Sequence, residues 1–137
     1  MFRWLRVSEG TYHDRVTGAF TDRMAAYRRL GPSRQDAVAA AFVLTWRDFL
    51  EECGSPDAFL KADREDQKRL ITRLVDYEAR TEAEGNEAEA ISSALMSFYL
   101  ASVAAHDREA LALMVPPLEE IGRRIDPDFT LPPLTAT

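Results

Sequence analysis

The chain has few of the residue types on which most recognisable protein chemistry depends. Its 137 residues include one cysteine, two histidines and six scattered glycines. One cysteine excludes an internal disulfide, and one thiol with two imidazoles is too few for a structural zinc site. Single glycines also exclude a loop that cradles phosphate, and no nucleophile-elbow or paired-histidine protease motif occurs. We therefore expect no catalytic residues, no metal and no cofactor, and we lean toward a protein that is not an enzyme.

The two histidines each precede an aspartate, at His13-Asp14 and at His106-Asp107. A His-Asp dipeptide in a helical chain resembles the HD-type metal phosphohydrolases, but that family has further ligands, and 93 positions separate the two dipeptides here. A di-iron bundle would need glutamate three residues before each histidine, and neither has one. His106 could in principle bind a haem, yet no second feature supports that. We therefore interpret both pairs as structural.

No segment of the sequence has the length and composition of a membrane anchor. The longest uncharged stretch, 90–105, has sixteen residues and includes four serines, whereas a membrane span needs about eighteen or more apolar residues. The apolar start of the chain ends after one turn at Ser8, Glu9 and Gly10, so no signal peptide is expected. These features predict a cytoplasmic protein without a transmembrane segment.

What the chain does have is helical periodicity. Apolar residues recur at spacings of three and four, and no pair of alternating strand-like runs is joined by a hairpin signal. The sequence predicts an all-α fold, with residues 1–137 forming a single-domain bundle of five to six helices. Gly18 leaves open whether the first helix, which should end at Leu30, is one kinked helix or two pieces.

Capping residues predict where the helices begin and end. We expect the second helix to begin at Ser33 and to end at Gly54. The helix over 88–105, which contains the uncharged stretch, should occupy the centre of the bundle, with His106 in its last turn. The N-caps expected for the remaining helices are Ser55, Asp63, Asn86 and Asp107.

The proline pair Pro116-Pro117 predicts a broken last helix. Interior proline removes a backbone donor and clashes with the preceding turn, so we expect two pieces, at about 107–114 and 117–125. The segment 126–137 holds three prolines and should be an extended tail. Its apolar residues favour packing on the bundle, and a tail free in solution is the open alternative.

Charge is distributed unevenly along the chain, whose net charge is −6. Residues 1–34 carry seven arginines against three acids, while the remainder carries a net charge of −10. Such blocks can neutralise each other, contact two partners or form the seam of a homo-oligomer. The aromatic and basic head, 1–9, adds residue types that are enriched in interface hot spots. The predicted partner surface consists of Phe2, Trp4, Arg15, Arg23, Arg28 and Arg29.

These observations predict a small acidic protein–protein interaction or adaptor protein, and they are compatible with a homo-oligomer. The first alternative is a helical small-molecule binder or enzyme with a pocket between helices. Its lining would be Phe42, Trp46, Phe98, Tyr99 and Met114. The second alternative is nucleic-acid binding by the arginine face, which the chain's acidic isoelectric point of about 4.9 disfavours.

Overall fold

The computed structural model describes residues 9–135, and within that range it shows six helices and no strand. The predicted all-α bundle is confirmed. None of the helices in the described range is both long and apolar enough to cross a membrane. The helices are α1 Glu9–Arg28, α2 Pro32–Cys53, α3 Pro56–Lys61, α4 Arg64–Ala83, α5 Glu87–Ala104 and α6 Arg108–Gly122.

Helix α5 is the centre of the bundle, as its apolar and uncharged stretch from Ala90 onward predicts. Every residue from Ala90 to Val103 is buried, and α5 contacts each of the other five helices. Three of its four serine hydroxyls find backbone acceptors: Ser93 donates to the carbonyl of Leu74 in α4 at 2.7 Å, Ser97 to that of Ala94 at 2.8 Å and Ser102 to that of Phe98 at 3.0 Å. A helix buried on all sides forces its neighbours to be amphipathic.

Most helix starts follow the predicted caps. Ser55, Asn86 and Asp107 each accept a hydrogen bond from a backbone N–H in the first turn of α3, α5 and α6. Asp63 is the N-cap residue of α4 but makes no such bond with its side chain. Gly54 follows α2 with a φ of 90°, a conformation that a side chain would strain.

Two boundaries of α1 and α2 differ from the prediction. The second helix begins two residues earlier than the Ser33 cap implies, because Pro32 occupies its first position and Gly31 is the N-cap. Proline there gives up no hydrogen bond and already has a helical φ. Helix α1 runs unbroken through Gly18 and ends at Arg28, two residues before the predicted Leu30.

The predicted break at Pro116-Pro117 is wrong, because α6 is continuous from Arg108 to Gly122. Met114, Leu118 and Ile121 are all buried, and only a continuous helix keeps them on one face of α6. The carbonyls that lose their donors belong to Ala112 and Leu113, whose exposed positions let water replace the missing N–H groups.

The C-terminal tail is extended and docked on the bundle. Phe129 and Leu131 are buried, and the Phe129 ring lies 5.8 Å from that of Phe42 and 6.2 Å from that of Trp46. The backbone N–H of Leu131 donates to Glu119 at 2.8 Å. Near the end of the described chain, both the N–H and the hydroxyl of Thr135 donate to Asp57.

His106 lies outside α5 and holds a strained backbone conformation. Helix α5 ends at Ala104, so the prediction that His106 belongs to its last turn is wrong. The N–H groups of His106 and Asp107 bond to the carbonyls of Val103 and Ser102, which is a Schellman motif with His106 in the left-handed position at φ 52°. The end of α4 builds the same motif with Gly85 there.

Replacing Gly122 should show how closely the tail is fitted to α6. A Cβ at Gly122 would lie 2.2 Å from the Phe129 ring, whereas one at Gly18, in the middle of α1, meets nothing within 4 Å. We expect Gly122→Ala to lower the free energy of unfolding by about 1–3 kcal/mol through overpacking. The matched Gly18→Ala should raise it by about 0.5–1 kcal/mol through helix propensity. Urea unfolding measures both, and equal effects would contradict the packing of the tail on Gly122.

Replacing His106 should relieve backbone strain. A non-glycine residue in the left-handed region destabilises the folded chain by about 1–2 kcal/mol. Glycine removes this strain, but its greater freedom in the unfolded chain cancels part of the gain. The His106 Nε2 is also buried with no hydrogen-bond partner among the described atoms. We expect His106→Gly to raise the free energy of unfolding by about 0.5–1 kcal/mol. A lower unfolding midpoint would show that the imidazole stabilises the turn by more than its backbone costs.

Candidate interaction surface

The predicted arginine face is divided by the structure into one internally paired residue and three exposed ones. Arg23 is half-buried and donates to Glu78 and, at 3.0 Å, to Glu82, both on α4. Burial raises the pKa of Glu78, and the hydrogen bond and charge of Arg23 oppose that rise. Arg23 therefore fastens α1 to α4.

The rest of the arginine face is left for solvent or a partner. The exposed members are Arg15, Arg28 and Arg29, which form no ion pair with other described residues. Phe2 and Trp4 lie outside the residues that the structure describes. The three exposed arginines stay a predicted partner surface. Its positive charge is smaller than the sequence indicates, because Arg23 is paired within the chain.

The predicted pocket-lining residues belong to the core. All five, Phe42, Trp46, Phe98, Tyr99 and Met114, are at most 5% exposed. The Trp46 ring lies 6.1 Å from that of Tyr99, and Phe129 of the tail packs against Trp46 as well. Burial raises the pKa of Tyr99 well above its usual range. A ligand between these side chains would have to take space that the aromatic rings already fill.

Each histidine-aspartate dipeptide contributes one residue to a single cluster. The His13 Nδ1 lies 2.5 Å from a carboxylate oxygen of Asp107, and its Nε2 lies 3.1 Å from Glu109. A carboxylate only accepts hydrogen bonds, so both contacts require the protonated imidazolium. The hydrogen bond with Asp107 is the main cause of the raised pKa of His13, and the charges of Asp107, Glu109 and Asp14 add to it. The cluster ties α1 to the start of α6.

Metal binding and thiol chemistry find no support in the described part of the chain. No group of three or more histidine, cysteine, aspartate or glutamate side chains is placed there to hold a metal ion. Burial raises the pKa of the Cys53 thiol, and the charge of Glu52 raises it further. A raised pKa disfavours the reactive thiolate, so Cys53 has the character of a packing residue.

A groove runs between α2 and α4 over the surface of α5. It has a volume of about 300 Å³, and one of its lining residues, Arg73 of α4, donates to both carboxylate oxygens of Glu52 on α2. Leu44 stands at its mouth with 60% of its surface exposed, the most of any large apolar residue described. The other apolar side chains that line it are Phe49, Leu70, Leu74, Tyr77, Met96 and Leu100.

The exposed side of α2 continues the apolar surface away from the groove. Ala37, Ala40 and Leu44 face solvent at helical spacing, and no charged residue occurs from Ala37 to Trp46. We call the groove and these three residues the α2 surface. On α4, by contrast, the exposed positions are mostly charged, as is usual for a solvated helix. Contiguous exposed apolar surface is a feature of protein–protein contact sites.

Sequence reasoning missed the α2 surface because it considered only the side of α2 that carries Phe42 and Trp46. The signal is present in the sequence, because ten consecutive uncharged residues cover all sides of a helix, whereas an amphipathic helix buries only one side. Phe42, Val43 and Trp46 account for the core side. Ala37, Ala40 and Leu44 fall on the opposite side and have no internal role.

The His13 cluster should make stability depend on pH. The pKa of His13 is higher in the folded chain than its unfolded value of about 6.5. The resulting stabilisation is complete below the unfolded pKa and is lost as the pH rises through the folded pKa. The urea midpoint of the wild type should therefore exceed that of His13→Gln by more at about pH 6 than at about pH 9.

An NMR titration of the His13 imidazole gives the direct measurement. We expect a pKa above 6.5 in the wild type and a lower value in Asp107→Asn, which keeps an N-cap acceptor but removes the charge. Titration at or below the usual value in the wild type would contradict the cluster.

No protein-family model, no curated protein and no solved structure matches the chain. The shape and chemistry of its own surface, with the α2 surface foremost, are therefore the basis for a functional proposal.

Proposed function

We propose that this chain is a small helical interaction protein that binds protein partners through the α2 surface. The observation that supports this most strongly is Leu44, a large apolar side chain left 60% exposed at the mouth of an apolar groove. Burying such a side chain against a partner contributes about 1.5–3 kcal/mol. The proposal includes a cytoplasmic place of action, with which a single half-buried cysteine is compatible.

The shape of the α2 surface suits a helix as the bound element. Residues of α2 and α4 form its walls and residues of α5 its floor, and amphipathic helices dock in such grooves through residues spaced by three and four. Leu44 would interdigitate with the apolar side of the bound helix. The polar rim, which includes Asp48, Arg73 and Glu89, would then contact its edges.

Photo-crosslinking from single positions tests this proposal. A photoreactive amino acid at position 44 should give discrete crosslinked protein adducts in the native host. The same group at position 113 should not, although Leu113 of α6 is also half-exposed, at 50%. Because a buried leucine contributes about 1.5–3 kcal/mol, Leu44→Glu should weaken binding of the crosslinked partner by about tenfold or more.

The matched Leu113→Glu serves as the control for introducing a charge at an exposed leucine. It should leave binding of the same partner unchanged. Equal crosslinking from positions 44 and 113, or none from position 44, would contradict the α2 surface as the site of interaction.

A further inference from the structure

Two opposite charges bracket the exposed side of α2 symmetrically. Arg34 precedes Ala41 by seven residues and Asp48 follows it by seven. Since seven residues make about two turns, all three positions lie on one side of the helix. Between the two charges, the exposed residues are Ala37, Ala40 and Leu44, together with Asp36 and Arg47, which pair with Arg124 and Asp126 of the same chain.

Two copies of this charge pattern attract each other only when the two α2 helices run antiparallel. If two copies of α2 pack antiparallel about a two-fold axis beside Ala41, Arg34 of each copy faces Asp48 of the other. If they pack parallel, arginine faces arginine and aspartate faces aspartate. An isologous interface repeats every contact twice, so the antiparallel pair has two attractive contacts and the parallel pair has two repulsive ones.

The side chains between the charges fit the same antiparallel packing. Leu44 lies three residues from the axis position and so falls opposite residue 38 of the other copy, between the exposed Ala37 and Ala40. Small side chains there let the helix axes approach closely and leave room for the leucine. The exposed leucine of each copy therefore has a matching shallow site on the other.

Neither bracketing charge is firmly engaged within the chain. The Arg34 side chain is 72% exposed, and its nearest carboxylate, on Glu87, lies 3.8 Å away. Asp48 is exposed and forms no ion pair within residues 9–135. Asp36, only two residues after Arg34, is by contrast held by Arg124 at 2.9 Å. Arg34 and Asp48 are the charges that a second copy can use.

We propose that the chain forms an antiparallel homodimer through α2, in which Leu44 packs between Ala37 and Ala40 of the second copy and Arg34 pairs with Asp48. The proposal rests on the α2 surface being an interaction site and names its occupant as a second copy of the chain.

Charge reversal with complementation tests the orientation. Analytical ultracentrifugation of the wild type should show a species of twice the 15.5 kDa chain mass. Asp48→Arg and Arg34→Asp each turn two attractive contacts into two repulsive ones, which should weaken the dimer by about tenfold. An equimolar mixture of the two variants restores both opposite-charge pairs, so heterodimers should form at wild-type affinity. The double variant Arg34→Asp with Asp48→Arg should also dimerise as the wild type does.

Both charges are exposed, so far-UV circular dichroism should show unchanged helix content in every variant. A wild type that sediments as a monomer at all concentrations would overturn the homodimer, whereas crosslinks from position 44 to a different protein would leave the proposed function standing. A wild-type dimer whose single variants are not rescued by mixing would overturn the antiparallel arrangement.

Discussion

The burial of α5 is the constraint on which the rest of the structure depends. Its fourteen consecutive buried residues cannot face water at any point around the helix, so helices must cover them on every side. Helices α1, α2, α4 and α6 must therefore each present an apolar side to α5, and the C-terminal tail covers a further part of the core. The α2–α4 groove lies where two helices both pack on α5 but barely contact each other.

Charge pairs then fix the relative positions of helices that share the α5 core. Arg23 joins α1 to α4, the His13 cluster joins α1 to α6, and Arg124 joins the end of α6 to Asp36 on α2. The arginine-rich start of the sequence and the acids of α4 are thus partly internal complements. Each pair is partly exposed and contributes little by itself, so these pairs select the arrangement of the helices more than they stabilise it.

The local features of this fold could be read from the sequence, and the distant ones could not. Ser55, Asn86 and Asp107 cap helices because each accepts a hydrogen bond from a backbone N–H three residues later in the chain. Such a short-range contact can be predicted from the order of the residues. His13 meets Asp107 across 94 positions, a pairing that no spacing rule predicts. At Pro116-Pro117 the local rule failed because burial of Met114 and Leu118 outweighs two lost hydrogen bonds. The same holds for the candidate site. The stretch of α2 without charged residues can be seen in the sequence, but the groove depends on how α2 and α4 pack on either side of α5.

A net charge of −6 would seem to oppose contact between two copies of the chain. The opposition is weak at the α2 surface for a local reason. At physiological ionic strength the Debye length is about 8 Å, so charges on the far side of the bundle are screened at the contact. From residue 34 to residue 48, α2 carries two arginines and two aspartates, and this stretch is neutral. The acids are most concentrated in residues 76–89, where six carboxylates stand against the single basic residue Arg80. A neutral, largely apolar stretch on an acidic protein can meet its own copy without bringing the repulsive charges together, and the rest of the surface keeps association confined to that one face.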